Sequence, residues 1–145
     1  MSPSVGSIAP TTPGPFDPKH FHSQALRMGR GTAEASLRTA VGRMYYAMFL
    51  IVREHPTIQA QMSVLPRGVR EGTHEYVIRV LRSLPSHSGT AQKLQELKQL
   101  RHIADYELHP ASSSRSNIRS RSDWNRNWQD ARSIVHNIYP RIKML

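Results

Sequence analysis

The stretch LRTAVGRMYYAMFLIVRE, Leu37 to Glu54, constrains what this chain can fold into more than any other. At about 3.6 residues per turn, Leu37, Ala40, Val41, Met44, Met48, Ile51 and Val52 share one helical face, and Tyr45 and Phe49 widen it. From Met44 to Val52 the only polar side-chain atoms are two tyrosine hydroxyls. A helix that is apolar nearly all round needs cover on most sides, which puts it at the centre of a small bundle. Nine such residues are too few to cross a membrane, which takes about 20.

The neighbouring segments supply the cover. Thr32 is placed to cap the central helix, and Pro56 disfavours helix at His55, so the helix is expected over 33–54. Before it, Asp17 followed by Pro18 reads as a helix start, Phe21, Ala25, Leu26 and Met28 form a short apolar stripe, and Gly29 and Gly31 mark its end. After it, TIQAQMSVLPRG reads as a loop with at most one irregular turn. Thr73 opens a helix bearing Tyr76, Val77, Val80, Leu81 and Leu84, closed by Pro85. A fourth helix starts near Thr90, presents Leu94, Leu97, Leu100, Ala104 and Leu108, and ends at Pro110. A last one, capped by Ser122 or Asp123, carries Trp124, Trp128, Ala131, Val135, Ile138 and Ile142 at alternating steps of four and three, with Pro140 placed to kink its end. No segment alternates as a strand does. The class is therefore all-α, an antiparallel up-and-down bundle of four main helices plus a short N-terminal helix.

At 145 residues the chain is one domain's worth. Five of its ten prolines fall in the first eighteen residues among Ser, Thr and Gly, so residues 1–15 are expected to be a disordered tail and 16–145 the helical domain. The tail has neither a basic start nor an apolar run, which makes the cytoplasm the default location.

Charge narrows the partners. Lys and Arg number 20 against 10 Asp and Glu, with a pI near 10.9, and such an excess favours a polyanion through counterion release. Arginine supplies most of it, and its planar fork suits phosphate. The segment ASSSRSNIRSR reads as a mobile basic loop, either a solvated connection or a phosphate-contacting one, in which Arg115, Arg119 and Arg121 would be the contacts. The absence of cysteine removes disulfides, thiolate metal sites and cysteine nucleophiles. His20 and His22 face different sides of a helix, and no HExxH, paired-carboxylate or glycine-rich phosphate motif occurs, so neither a metal nor another cofactor is expected.

The most informative polar residues lie in LKQLRHIADYELHP. With Leu94, Leu97, Ala104 and Leu108 turned inward, Arg101 stands in the middle of the same stripe and Asp105 one turn later at its edge. A charge on a core face must be paired, and an Arg101–Asp105 contact, with Tyr45 or Tyr46 as hydroxyl partners, is the expected resolution. That contact is either a structural ion pair or part of a site. Arg43 and Tyr46 lie on a flank of the central helix that the main stripe leaves open. Either a second helix or subunit covers them, with Arg43 a further nucleic-acid contact, or Arg43 is exposed and Tyr46 is ordinary core.

Taken together, ASLRTAVGRMYYAMF, THEYVIRVL and LKQLRHIADYEL, in this order and separation, resemble the small prokaryotic proteins of the HEPN superfamily (higher eukaryotes and prokaryotes nucleotide-binding). The likeness is to the subgroup with an R-x-YYA-x-F helix and an L-x-x-x-R-x-x-ADY helix, often encoded beside minimal nucleotidyltransferases, and it spans roughly residues 20–143. The resemblance implies a helical bundle that dimerises and gathers the polar residues of two protomers into one cleft. Active relatives are metal-independent endoribonucleases, many of them toxins held in check by the nucleotidyltransferase. Their motif is an arginine followed after four to six residues by histidine, with Arg101 here matching the arginine. His109 comes after seven intervening residues and His102 is adjacent, and position 50, histidine in many relatives, is Leu50. The resemblance thus leaves two readings: an RNase using Arg101 with His109 or His102, assisted by Asp105 and Tyr106, or a non-catalytic subunit that binds RNA, nucleotide or the nucleotidyltransferase in the same cleft. Tyr106 is, by position, the tyrosine that would accept a nucleotidyl group. An all-α nucleic-acid-binding module unrelated to this family is the reading that charge alone supports.

Overall fold

A computed structural model of the chain describes residues 17–31, 33–106 and 124–145. The expectations for the tail over 1–15, the caps Thr32, Ser122 and Asp123, the stop at Pro110, and His109, Arg115, Arg119 and Arg121 lie outside the described residues. Six helices account for most of the rest: α1 (Lys19–Met28), α2 (Glu34–Glu54), α3 (Pro56–Val64), α4 (Thr73–Ser83), α5 (Ser88–Tyr106) and α6 (Trp124–Lys143). There is no strand among the described residues, and the fold is all-α. None of these helices is long and apolar enough to cross a membrane.

The apolarity of α2 decides the arrangement. Ten of its residues, from Leu37 to Val52, are buried, chiefly against α1, α5 and α6, with smaller contacts to α3 and α4. One contiguous core draws on all six helices. On α6 the alternating four-and-three seam is buried as expected, and Asn127 and Ile134 join it. That helix runs on through Pro140 to Lys143.

The segment after α2 departs from the loop expectation. His55 breaks the helix in an extended conformation, φ −67° and ψ 133°, because Pro56 follows. The same proline then occupies the first position of α3, where its missing N–H costs nothing, and the Nδ1 of His55 accepts from the Thr57 N–H at 3.2 Å. The pattern hid this helix because it buries one residue, Ile58, and so shows no stripe. Its C-terminal end is tied to α4 by the Tyr76 hydroxyl, 3.0 Å from the Met62 carbonyl and 2.8 Å from that of Leu65.

Two other features set the ends of helices. Arg38, on the first turns of α2, donates to the carbonyls of Ala104 at 3.1 Å and Ile103 at 3.4 Å, in the last turn described of α5. The same guanidinium pairs with Glu34 at 2.9 Å and lies 4.4 Å over the Trp124 ring, so one side chain fastens α2, α5 and α6. Gly29 ends α1 as expected, but not by a left-handed turn, since its φ is −68°. Its role is steric: a Cβ there would overlap the indole of Trp128. Replacing it, Gly29→Ala, is expected to cost about 1–3 kcal/mol through overpacking, read as a lowered urea midpoint with unchanged slope.

At the entry to α4, Arg79 grips Glu71 with two bonds of 2.7 and 2.8 Å. These hydrogen bonds, with one from the Gly68 N–H, hold the Glu71 carboxyl down at about 2, against an ordinary value of 4.5. Because the folded value is the lower one, the contribution is present above the unfolded value and is lost as pH falls through the folded one. Stability should therefore drop between pH 4.5 and about 2 less steeply in Glu71→Gln than in the parent, by thermal melts across that range.

Candidate functional site: an arginine among tyrosines

Arg101 leaves the inner side of α5 between the buried Leu97 and Ala104, so its guanidinium meets α2 rather than water. Its side chain is 13 % exposed. Nη2 donates to the Tyr46 hydroxyl at 2.6 Å, and Nε stands 3.1 Å from Oδ2 of Asp105, one turn on. The second contact is an ion pair whose direction falls short of a hydrogen bond, leaving that N–H sealed and imperfectly satisfied. The guanidinium carbon also lies 5.0, 5.6 and 5.9 Å from the ring centres of Tyr46, Tyr45 and Tyr106. Asp105 lies close against α2 at Gly42, where a Cβ would come to van der Waals contact with Oδ1 at 3.4 Å.

The other tyrosine hydroxyl has its own partner. Tyr45, fully buried, has its Oη 2.6 Å from Nδ1 of His74, in the first turn of α4. The His74 ring stacks on Phe49 at 4.1 Å and meets the edge of Tyr46 at 6.2 Å. Burial pushes the Tyr45 phenol well above its ordinary range, with the Arg101 charge opposing that rise. Burial first, then the positive charges of Arg101 and Lys98, lower the basicity of His74. The imidazole is thus neutral near pH 7.

Beside this cluster lies an open groove of about 590 Å³, lined by Glu75, Lys98, Gln99, Arg101 and His102 among others. Lys98 Nζ is 2.6 Å from Glu75 Oε1, and its hydrogen bond lowers the Glu75 carboxyl from its ordinary value. A partly desolvated guanidinium on a groove wall, already held in place from behind, is a strong seat for an anion.

The expected residues divide accordingly. Arg101 and Asp105 meet as the spacing predicts, and Tyr46 supplies the hydroxyl. His102 is exposed on the groove, its ring 5.0 Å from that of Tyr106. Tyr106 is 65 % exposed, with its ring beside Arg101. Arg43 is neither exposed nor in this cluster: α1 covers it, and its guanidinium lies 4.9 Å over Phe21. The companion expectation of Tyr46 as ordinary core also gives way, because its hydroxyl carries the Arg101 bond. His74 was not among the residues the spacing singled out. It sits 29 positions from Tyr45 in sequence, and the available signal was a histidine at a helix start, inside the THEYVIRVL segment. Among the described residues no group of three or more His, Asp or Glu side chains could hold a metal.

Comparison with protein-family models, with curated proteins and with solved structures finds no match to this chain.

Because Asp105 is 37 % exposed, water relieves its carboxylate if the arginine is lost. Arg101→Ala is therefore expected to cost about 1–3 kcal/mol, not the roughly 3–5 kcal/mol of a sealed pair. Tyr46→Phe should cost about 1 kcal/mol. Urea unfolding of the two variants measures both.

Proposed function

We propose that this chain is a HEPN-type helical domain that binds RNA, with Arg101 as its principal phosphate contact. In this reading the helices form the antiparallel up-and-down bundle of four main helices and a short first one. The protein works in the cytoplasm as a homodimer within a prokaryotic toxin–antitoxin or defence-type module, beside a minimal nucleotidyltransferase whose nucleotidyl group Tyr106 would accept. The observation that carries the RNA reading is the place of Arg101: on the wall of an open groove with Lys98, braced from behind by Tyr46 and Asp105. A braced guanidinium loses little freedom on meeting a phosphate, and the formal charge of +10 draws a polyanion to it.

Binding without cleavage is favoured because the histidine nearest the tyrosine pair, His74, has Nδ1 already engaged. The second reading, a metal-independent endoribonuclease, draws support from His102, which lines the same groove as Arg101. There the imidazole would take the proton of a ribose 2′-hydroxyl as that oxygen bonds to phosphorus. The P–O5′ bond would break, the proton would pass to the departing 5′-oxygen, and Arg101 would balance the developing charge.

Fluorescence anisotropy with a labelled single-stranded RNA in EDTA, across a salt series, tests the proposal. The expected result is binding that weakens as salt rises and falls about tenfold further in Arg101→Gln, as loss of a charge-assisted bond requires. Affinity unchanged in a folded Arg101→Gln would overturn it. Cleavage on a gel of the same samples, abolished by either Arg101→Gln or His102→Ala, would replace binding with the nuclease reading.

A further inference from the structure

His74 is the polar residue of the cluster that the reading above does not use. Its Nδ1 is 2.6 Å from the Tyr45 hydroxyl, and the direction of that bond can be assigned. If Nδ1 carried the proton, the hydroxyl hydrogen of Tyr45 would be left inside the core with no acceptor among the described residues, at a cost of about 1–3 kcal/mol. With Tyr45 donating, both groups are satisfied. Burial also keeps that phenol protonated. The imidazole is then fixed with its hydrogen on Nε2. That nitrogen has no hydrogen-bond partner among the described residues and is not sealed from solvent. The ring itself is held on Phe49 at 4.1 Å.

Arg101 packs on the same tyrosines and its charge acts on His74. Its guanidinium carbon is 5.6 Å from the Tyr45 ring centre, and the His74 ring is likewise 5.6 Å from it. Two donors of different charge thus pack on one aromatic pair, each already bonded to a tyrosine hydroxyl.

We propose that His74 and Arg101 together form a two-point seat for an RNA phosphodiester, with Tyr45 as the positioning residue that keeps His74 a neutral Nε2–H donor. This rests on the RNA-binding reading and names a second contact for it. The tautomer also explains why His74 makes a poor proton shuttle. Giving up the Nε2 proton would require Nδ1 to take one from Tyr45, leaving a tyrosinate inside the core.

The seat carries a pH signature. Tyr45, Tyr46 and Arg53 face His74 from α2, Lys98 and Arg101 from α5, and Glu75 is its neighbour on α4. Arg101, Lys98 and Arg53 disfavour a charged imidazole and Glu75 favours it. A bound phosphate favours it further, so affinity should rise as pH is lowered through the His74 titration.

The probe is a short 2′-O-methylated oligoribonucleotide, which binds without being cleaved. In the wild type, adding it should shift the His74 Nε2 nitrogen NMR signal and raise the pH at which His74 titrates. His74→Leu should weaken binding roughly tenfold, the loss of one hydrogen bond to a charged acceptor. His74→Gln, which can still accept from Tyr45 and donate outward, should keep most of the affinity at high pH and lose the rise at low pH. Tyr45→Phe should leave His74 a mixture of tautomers by nitrogen NMR. If Arg101→Gln weakens binding while His74→Leu does not, and the wild-type His74 signal is unmoved by the probe, the seat is wrong and the RNA reading stands. If Arg101→Gln has no effect, both fail. Should His74→Leu not fold, the wild-type NMR titration alone decides.

Discussion

A helix without a polar face cannot be left against water, and α2 is such a helix for most of its length. Every other element is placed by that requirement. α1, α5 and α6 make its main contacts and α3 and α4 add smaller ones, so the order of packing follows from what must be hidden. The few polar atoms that α2 carries inward then become constraints of their own. Its two tyrosine hydroxyls sit where water does not reach freely, and each needs a partner from a covering helix. Tyr46 receives one from α5, Arg101, and Tyr45 finds one on α4, His74. The polar cluster is thus a consequence of burying an apolar helix that contains adjacent tyrosines.

That origin explains the character of the cluster. Arg101 and His74 each meet a tyrosine hydroxyl of α2 on the inner side. The groove next to them mixes Lys98, Glu75 and His102.

Parts of this were legible in the chain of residues. The stripe in Leu37–Val52 announced the central helix, and the step of four between Arg101 and Asp105 announced their pairing. The stops at His55 and Gly29 were visible too, although Gly29 turned out to matter for its lack of a side chain beside Trp128 and not for backbone freedom. What stayed hidden had weak periodicity or long reach. Helix α3 buries only Ile58 and leaves no pattern. Arg38 was not singled out, and its contact spans 66 positions to the Ala104 carbonyl. For Arg43, cover by another helix was one of two open readings, and α1 supplies it through Phe21.

The residues alone determined that this chain is helical, that one helix must be wrapped by the others, and that the Arg101 charge needs a counterweight, because propensity, periodicity and the cost of burying charge act locally. The tertiary structure decided which tyrosine meets which partner and brought His74 to Tyr45. Such pairings depend on how helices cross, and no spacing along a single helix carries that information.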